Sequence, residues 1–93
     1  MSQTQLTPEQ LEDVQTFQKN EITEYHIYQR LAKRVKTDNA AVLKDIAEDE
    51  LRHYHFWKGY SGKEVRPNRW KVFKFYWITR IFGLTFGIKL MEN

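Results

Sequence analysis

The chain contains no cysteine. That excludes disulfides, thiolate zinc sites and a cysteine nucleophile. It fits a reducing compartment, and the expected location is cytoplasmic, at a membrane surface or inside a protein compartment included. Proline occurs twice and glycine four times. Neither falls inside residues 9–36, so nothing there interrupts a long helix. The N-terminus, MSQTQLTPEQ, lacks the basic-then-apolar order of a signal peptide. No stretch approaches the ~18 uncharged apolar residues that a transmembrane helix needs. Ninety-three residues make one domain with a limited core, one that a partner subunit is expected to complete.

Charge of one sign is scarce in the last third. Residues 61–93 carry seven basic and two acidic residues, whereas residues 1–60 carry eight basic and ten acidic ones. The net charge of +3 therefore belongs to the C-terminal segment. Its cations are dispersed and no nucleic-acid motif accompanies them, so no nucleic-acid partner is expected.

Three segments are predicted. Residues 1–6 are expected to be disordered. Thr7-Pro8-Glu9-Gln10 combines an N-cap Thr, a Pro at the first helical position and a Gln three residues after the cap. A helix should run from there to about residue 36. Lys36-Thr37-Asp38-Asn39 is a short polar connection able to cap a second helix over about 39–60, and so short a link makes the two helices an antiparallel hairpin. Gly59, Ser61 and Gly62 should end it. A polar loop, SGKEVRPNR, leads to WKVFKFYWITRIFGLTFGIKLMEN, aromatic, apolar and basic. The expectation there is a third helix, packed on the hairpin or across a dimer. Its mixture of Trp, Tyr, Lys and Arg also suits contact with an anionic membrane or a membrane domain.

The chemistry concentrates in IAEDELRHYHFW, residues 46–57. Glu50 and His53 are three residues apart, which places them roughly 60° apart on a helix. Leu43, Ile46, Ala47, Tyr54 and Trp57 fall within about 60° of Glu50. A carboxylate thus sits at the centre of an apolar face, which is costly unless it is paired, neutralised or bound to metal. The first helix repeats the pattern. Val14, Phe17, Tyr25, Tyr28, Ala32 and Val35 lie within about 40° of Glu21, and Glu24 lies about 60° away on the same face. Glu21 precedes the connection by about as many residues as Glu50 follows it, so the two should stand at similar heights. His26 and His55 point away and read as surface residues. Arg52 and Lys58 read as solvated or salt-bridging.

One hairpin offers Glu21, Glu50 and His53. Two hairpins related by a two-fold axis form a four-helix bundle with four Glu and two His. That is the ligand set of carboxylate-bridged di-iron and di-manganese sites.

The spacing of Glu21, Tyr28 seven residues later, then Asp49-Glu50-Leu51-Arg52-His53, resembles one half of the ferritin-like superfamily. Within it, the chain looks like the rubrerythrin branch and the half-size, encapsulated-ferritin type. EITEYHIYQRLAKR, IAEDELRHYHFWKGYSG and the ending RIFGLTFGIKLME are similar to a narrower group of bacterial and archaeal rubrerythrin-like proteins. Longer members of that group continue through a second ferritin-like half, and some into a membrane domain of the vacuolar iron transporter type. The resemblance covers nearly all of residues 9–92. It implies an all-α fold: a ferritin-like antiparallel hairpin over residues 7–60, followed by a loop and a basic aromatic C-terminal helix over 61–93. The bundle would be completed by dimerisation. Either the chain is a piece of a longer protein or it is a half that pairs with a second copy.

The resemblance also implies roles. Glu50 and its symmetry mate would bridge two metals, Glu21 would bind one terminally and His53 would cap one. Tyr28 is the candidate catalytic residue, as a radical or hydrogen-bond partner. Tyr25 and Tyr28 could orient the ligands or serve simply as core aromatics. The cofactor expectation is two Fe ions per dimer, with Mn as the alternative, since both prefer carboxylate and imidazole to thiolate. The expected activity is oxidation of Fe(II) by O2 or H2O2. These residues hold no cysteine for the rubredoxin-like electron-transfer domain of full rubrerythrins, so electrons for peroxide reduction are expected to need another route. Alternatives are a rubrerythrin-type peroxide reductase, a metal-sensing or membrane-recruiting module, and a helical hairpin without metal.

Overall fold

A computed structural model describes residues 6–92, and the side chains of Phe86, Met91 and Glu92 are not described. The described residues form four helices and no strand: α1 (Pro8–Arg34), α2 (Asn39–Ser61), α3 (Arg69–Phe82) and α4 (Leu84–Glu92). Most of the N-terminal segment expected to be disordered, residues 1–5, lies outside the described residues.

α1 begins where its cap dictates. Thr7 Oγ1 accepts from the Gln10 amide at 3.1 Å, and the Thr7 amide donates to Gln10 Oε1 at 3.0 Å. These reciprocal bonds satisfy two donors that a helix start would leave open. α1 stops at Arg34, two residues before the expected end, with Val35 extended. At the connection, Thr37 Oγ1 accepts from the Asn39 amide at 3.2 Å. α2 runs through Gly59 and ends at Gly62, whose φ of 69° is the left-handed conformation that suits a helix end. α1 and α2 pack as an antiparallel hairpin: Gln18 meets Ser61 while Glu21 meets His53.

The far end of the hairpin is clipped by buried polar groups. Gln18 is fully buried; its Nε2 donates to the Lys63 carbonyl at 2.8 Å, and its Oε1 accepts from Ser61 Oγ at 2.6 Å. Tyr54 Oη accepts from the Val65 amide at 2.9 Å, and buried Thr23 accepts from the Asn68 amide at 2.9 Å. The loop over 62–68 is therefore tied to both helices by its own backbone. It delivers α3 onto α1, where Val72, Phe75 and Tyr76 join Ile27, Tyr28, Leu31, Leu43 and Ala47 in one core.

The C-terminal segment is two helices, where a single one was expected. Gly83 adopts φ 102° and ψ 157°, a conformation closed to side chains with a Cβ. The chain turns there and α4 packs back on α3. Gly87 allows the approach: a Cβ on it would lie 2.9 Å from Thr79 Cβ and 3.2 Å from Thr79 Cα. Thr79 cannot easily retreat, because its hydroxyl donates to the Phe75 carbonyl at 2.8 Å.

Two outcomes follow. Gln18→Ala removes the two bonds to the Lys63 carbonyl and the Ser61 hydroxyl, which keep only their contacts with each other, and empties a fully buried position; it should cost about 1–3 kcal/mol in urea denaturation. Gly87→Ala overpacks the α3–α4 contact and should cost about 1–3 kcal/mol. Unchanged midpoints would remove the clip or the close contact from the account of the fold.

Candidate metal centre

Glu21 reaches the inner face of the hairpin from the middle of α1, and Glu50 and His53 reach it from α2. His53 Nδ1 lies 3.2 Å from Glu21 Oε2 and 3.2 Å from Glu50 Oε1. One ligand atom from each of the three falls within 4.8 Å of the others. The structure brings these three side chains together, and the similar heights of Glu21 and Glu50 follow from the clipped, antiparallel hairpin. The site opens on the imidazole side: the side chains of His53, Glu50 and Glu21 are 58%, 14% and 23% exposed.

Electrostatics set this cluster apart from a surface ion pair. Burial pushes the Glu50 carboxyl up to about 9, helped by hydrogen bonding to Glu24 and Glu21 and by their negative charges. Glu24, the half-buried carboxylate one turn beyond Glu21, therefore faces Glu50 as well. The helical wheel ranks it low because it lies at the margin of the stripe. Its share in the site depends on how the two helices approach, which the wheel of one helix does not contain. Among the described residues, no Lys or Arg is ion-paired with Glu21 or Glu50. Three carboxylates meet with one imidazole and no fixed cation.

That donor set fits a divalent cation. Carboxylate oxygens and a neutral imidazole nitrogen suit Fe(II), Mn(II) or Zn(II). A cation among them would replace the proton on Glu50 and relieve the repulsion from Glu21 and Glu24. The rest of the motif looks outward. Arg52 pairs with Asp49 on the exposed flank, Lys58 with Glu64 at 3.7 Å, and His55 is exposed.

The remaining candidates sit elsewhere. Tyr28 is buried in the core, about 10 Å along α1 from Glu21. Tyr25 Oη accepts from Gln29 Nε2 at 2.9 Å. His26, expected at the surface, is half-buried in a groove with Arg30, Pro67, Arg69, Val72 and Phe73. Burial lowers its pKa, and Arg30 and Arg69 lower it further. The start of α3 creates that environment, and the wheel of α1 alone carries no sign of it.

Compared with known proteins, the chain matches no protein-family model, no curated protein and no solved structure.

Glu50 gives the pH dependence a definite sign. Folded, it holds its proton up to about 9; unfolded, it releases it near 4.5. Between those values the folded chain binds more protons, so its stability falls as pH rises. In chelator-containing buffer, the melting temperature should drop across that window. Glu50→Gln should flatten the dependence and raise the melting temperature near neutral pH. A melting temperature that climbs with pH, with Glu50→Gln no different from wild type, would show that Glu50 is not strained in this way.

Proposed function

We propose that the hairpin is one half of a ferritin-like ferroxidase centre, completed by a second copy across a two-fold axis. The observation that carries this reading is the convergence of Glu21, Glu50 and His53 Nδ1 from two helices, with no fixed cation to neutralise the carboxylates. Fe(II) is the substrate. Each protomer contributes two principal carboxylates and one imidazole, so a dimer presents four Glu and two His to a pair of ions. Glu21, Glu50 and His53 of each protomer would hold the ions through carboxylate oxygens and an imidazole nitrogen. Glu24 stands beside Glu50 as a further carboxylate for entry of the ions.

The surface around the site supports pairing. Phe17 is one turn before Glu21 and Trp57 one turn after His53, and their rings meet at 5.1 Å. Phe17, Phe56 and Tyr60 are all substantially exposed beside them. An apolar patch next to an open ligand cluster is what a two-fold partner would cover.

The redox balance needs two ions. Two Fe(II) lose one electron each and become Fe(III). O2 takes both electrons with two protons and becomes H2O2; alternatively, H2O2 takes them with two protons and becomes two waters. Paired ions deliver both electrons together and avoid a one-electron oxygen radical. Tyr28, buried in the apolar core, is assigned a transient radical or hydrogen-bonding role, with Tyr25 on the same stripe nearer Glu21. The Fe(III) product passes to a store or a carrier supplied by other proteins.

Anaerobic Fe(II) titration followed by native mass spectrometry tests the centre. The expected result is two irons per dimer, a rise in ferric absorbance on adding oxygen, and loss of both in Glu21→Gln and Glu50→Gln. Saturating iron should stabilise wild type by about 2–4 kcal/mol and leave these variants unchanged. Phe17→Glu should give helical monomers that bind iron weakly. Tyr28→Phe should retain iron binding and slow oxidation. One iron per chain without dimers would defeat the shared site, and no binding would defeat the metal reading altogether.

A further inference from the structure

The outer face of α3 carries residues that neither the core nor the hairpin site uses. Trp70, Phe73, Trp77 and Ile81 recur at i, i+3, i+7 and i+11, within about 80° of one helix face. They are 67%, 51%, 44% and 69% exposed. The opposite face, Val72, Phe75, Tyr76 and Thr79, is buried in the packing of α3 on α1. The exposed rings form a continuous row: Trp70 stacks on Phe73 at 5.7 Å, and Phe73 meets Trp77 at 6.4 Å.

Cations border this row on both sides. Arg69 and Arg80 flank one edge, and Lys74 and Lys71 the other, roughly 60–120° from its midline. Rings hold some of them in place: the Arg80 guanidinium lies 5.7 Å from the Trp77 centroid, and Lys74 Nζ lies 5.4 Å from that of Phe75. No acidic residue occurs between Glu64 and Glu92. At the Trp70 end, Arg30, Arg69 and His26 line a groove of about 320 Å³ with Pro67 and Phe73.

This pattern selects its occupant. A second copy docked on the same stripe by a two-fold axis would set cations against cations. An apolar ridge with basic borders and no acidic residue complements a bilayer containing anionic lipid, with rings at the acyl boundary and cations at the phosphates. Among the described residues no helix is long and apolar enough to cross a membrane, so the geometry is that of a helix lying in the interface. We propose that α3 docks on anionic membrane surfaces. Trp70, Phe73, Trp77 and Ile81 enter the headgroup–acyl boundary, while Arg69, Lys71, Lys74 and Arg80 engage lipid phosphates.

Co-sedimentation of the full chain tests this, using vesicles of phosphatidylcholine alone and vesicles that also contain phosphatidylserine. The protein should pellet with the anionic vesicles only, and high salt should release it. Brominated lipid should quench its tryptophan emission. Lys71→Glu/Lys74→Glu should weaken partition by about tenfold or more. Trp70→Ser/Trp77→Ser should abolish quenching while leaving the circular dichroism unchanged, because both side chains are exposed. Absence of pelleting, equal pelleting with both vesicle types, or full binding by both double variants would overturn the proposal. So would a dimer that the Trp70→Ser/Trp77→Ser variant dissolves in a protein that ignores vesicles, which would assign the stripe to a second copy.

Discussion

The structure turns on a carboxyl group placed where apolar packing would cost less. Glu50 sits at the centre of the inner face of α2, against Glu21 and Glu24, and it keeps a proton well above the usual carboxylate range. A leucine there would fill the same space with no desolvation penalty and no repulsion. Several features of the hairpin hold this cluster together despite its cost. The capping box starts α1 at a fixed residue, the short connection fixes the helix heights at one end, and Gln18 with Ser61 and Lys63 pins them at the other. A slip of one residue on either helix would turn its ligands by about 100° and disperse the site. The same slip would turn Ile27, Tyr28 and Leu31, or Leu43 and Ala47, out of the core, so the cluster and the core demand one register.

The hairpin was legible in the sequence because its signals are local. Thr7-Pro8 and Gln10 mark the start of α1, Gly62 marks the end of α2, and the 3.6-residue period sets Glu21, Glu50 and His53 on facing stripes. What was not legible depends on contacts between distant residues. Gly83 could have sat inside a continuous helix, and only the return of α4 onto α3 selects its positive φ. Glu24 lies at the edge of its stripe, and the approach of α2 brings it toward Glu50. His26 lies away from the stripe, and the N-terminal end of α3 half-buries it. The polar clip joins residues more than 40 positions apart, and no periodicity encodes it.

Two features of the chain oppose its own stability or solubility. One is the acidic cluster between α1 and α2. The other is the aromatic row on α3, which leaves large rings in water. Departures from the best-packed, best-solvated choice mark places where a sequence answers to something besides folding. Here the two departures differ in sign and in place. One gathers carboxylates on the inner face of the hairpin, and the other sets exposed rings among cations on the outer face of α3.

Their separation makes the two roles compatible. α3 buries one face in its packing on α1 and turns the other outward, so a surface engaged by Trp70, Phe73 and Trp77 need not cover the gap between α1 and α2. The patch at Phe17 and Trp57, which a second copy would cover, belongs to the hairpin and not to α3. Charge follows the same division, since the first sixty residues are slightly acidic and the remainder strongly basic. An anionic surface would attract the basic α3 segment more strongly than the slightly acidic hairpin. Ions could then reach Glu21, Glu50 and His53 from solution while α3 holds the molecule at the surface.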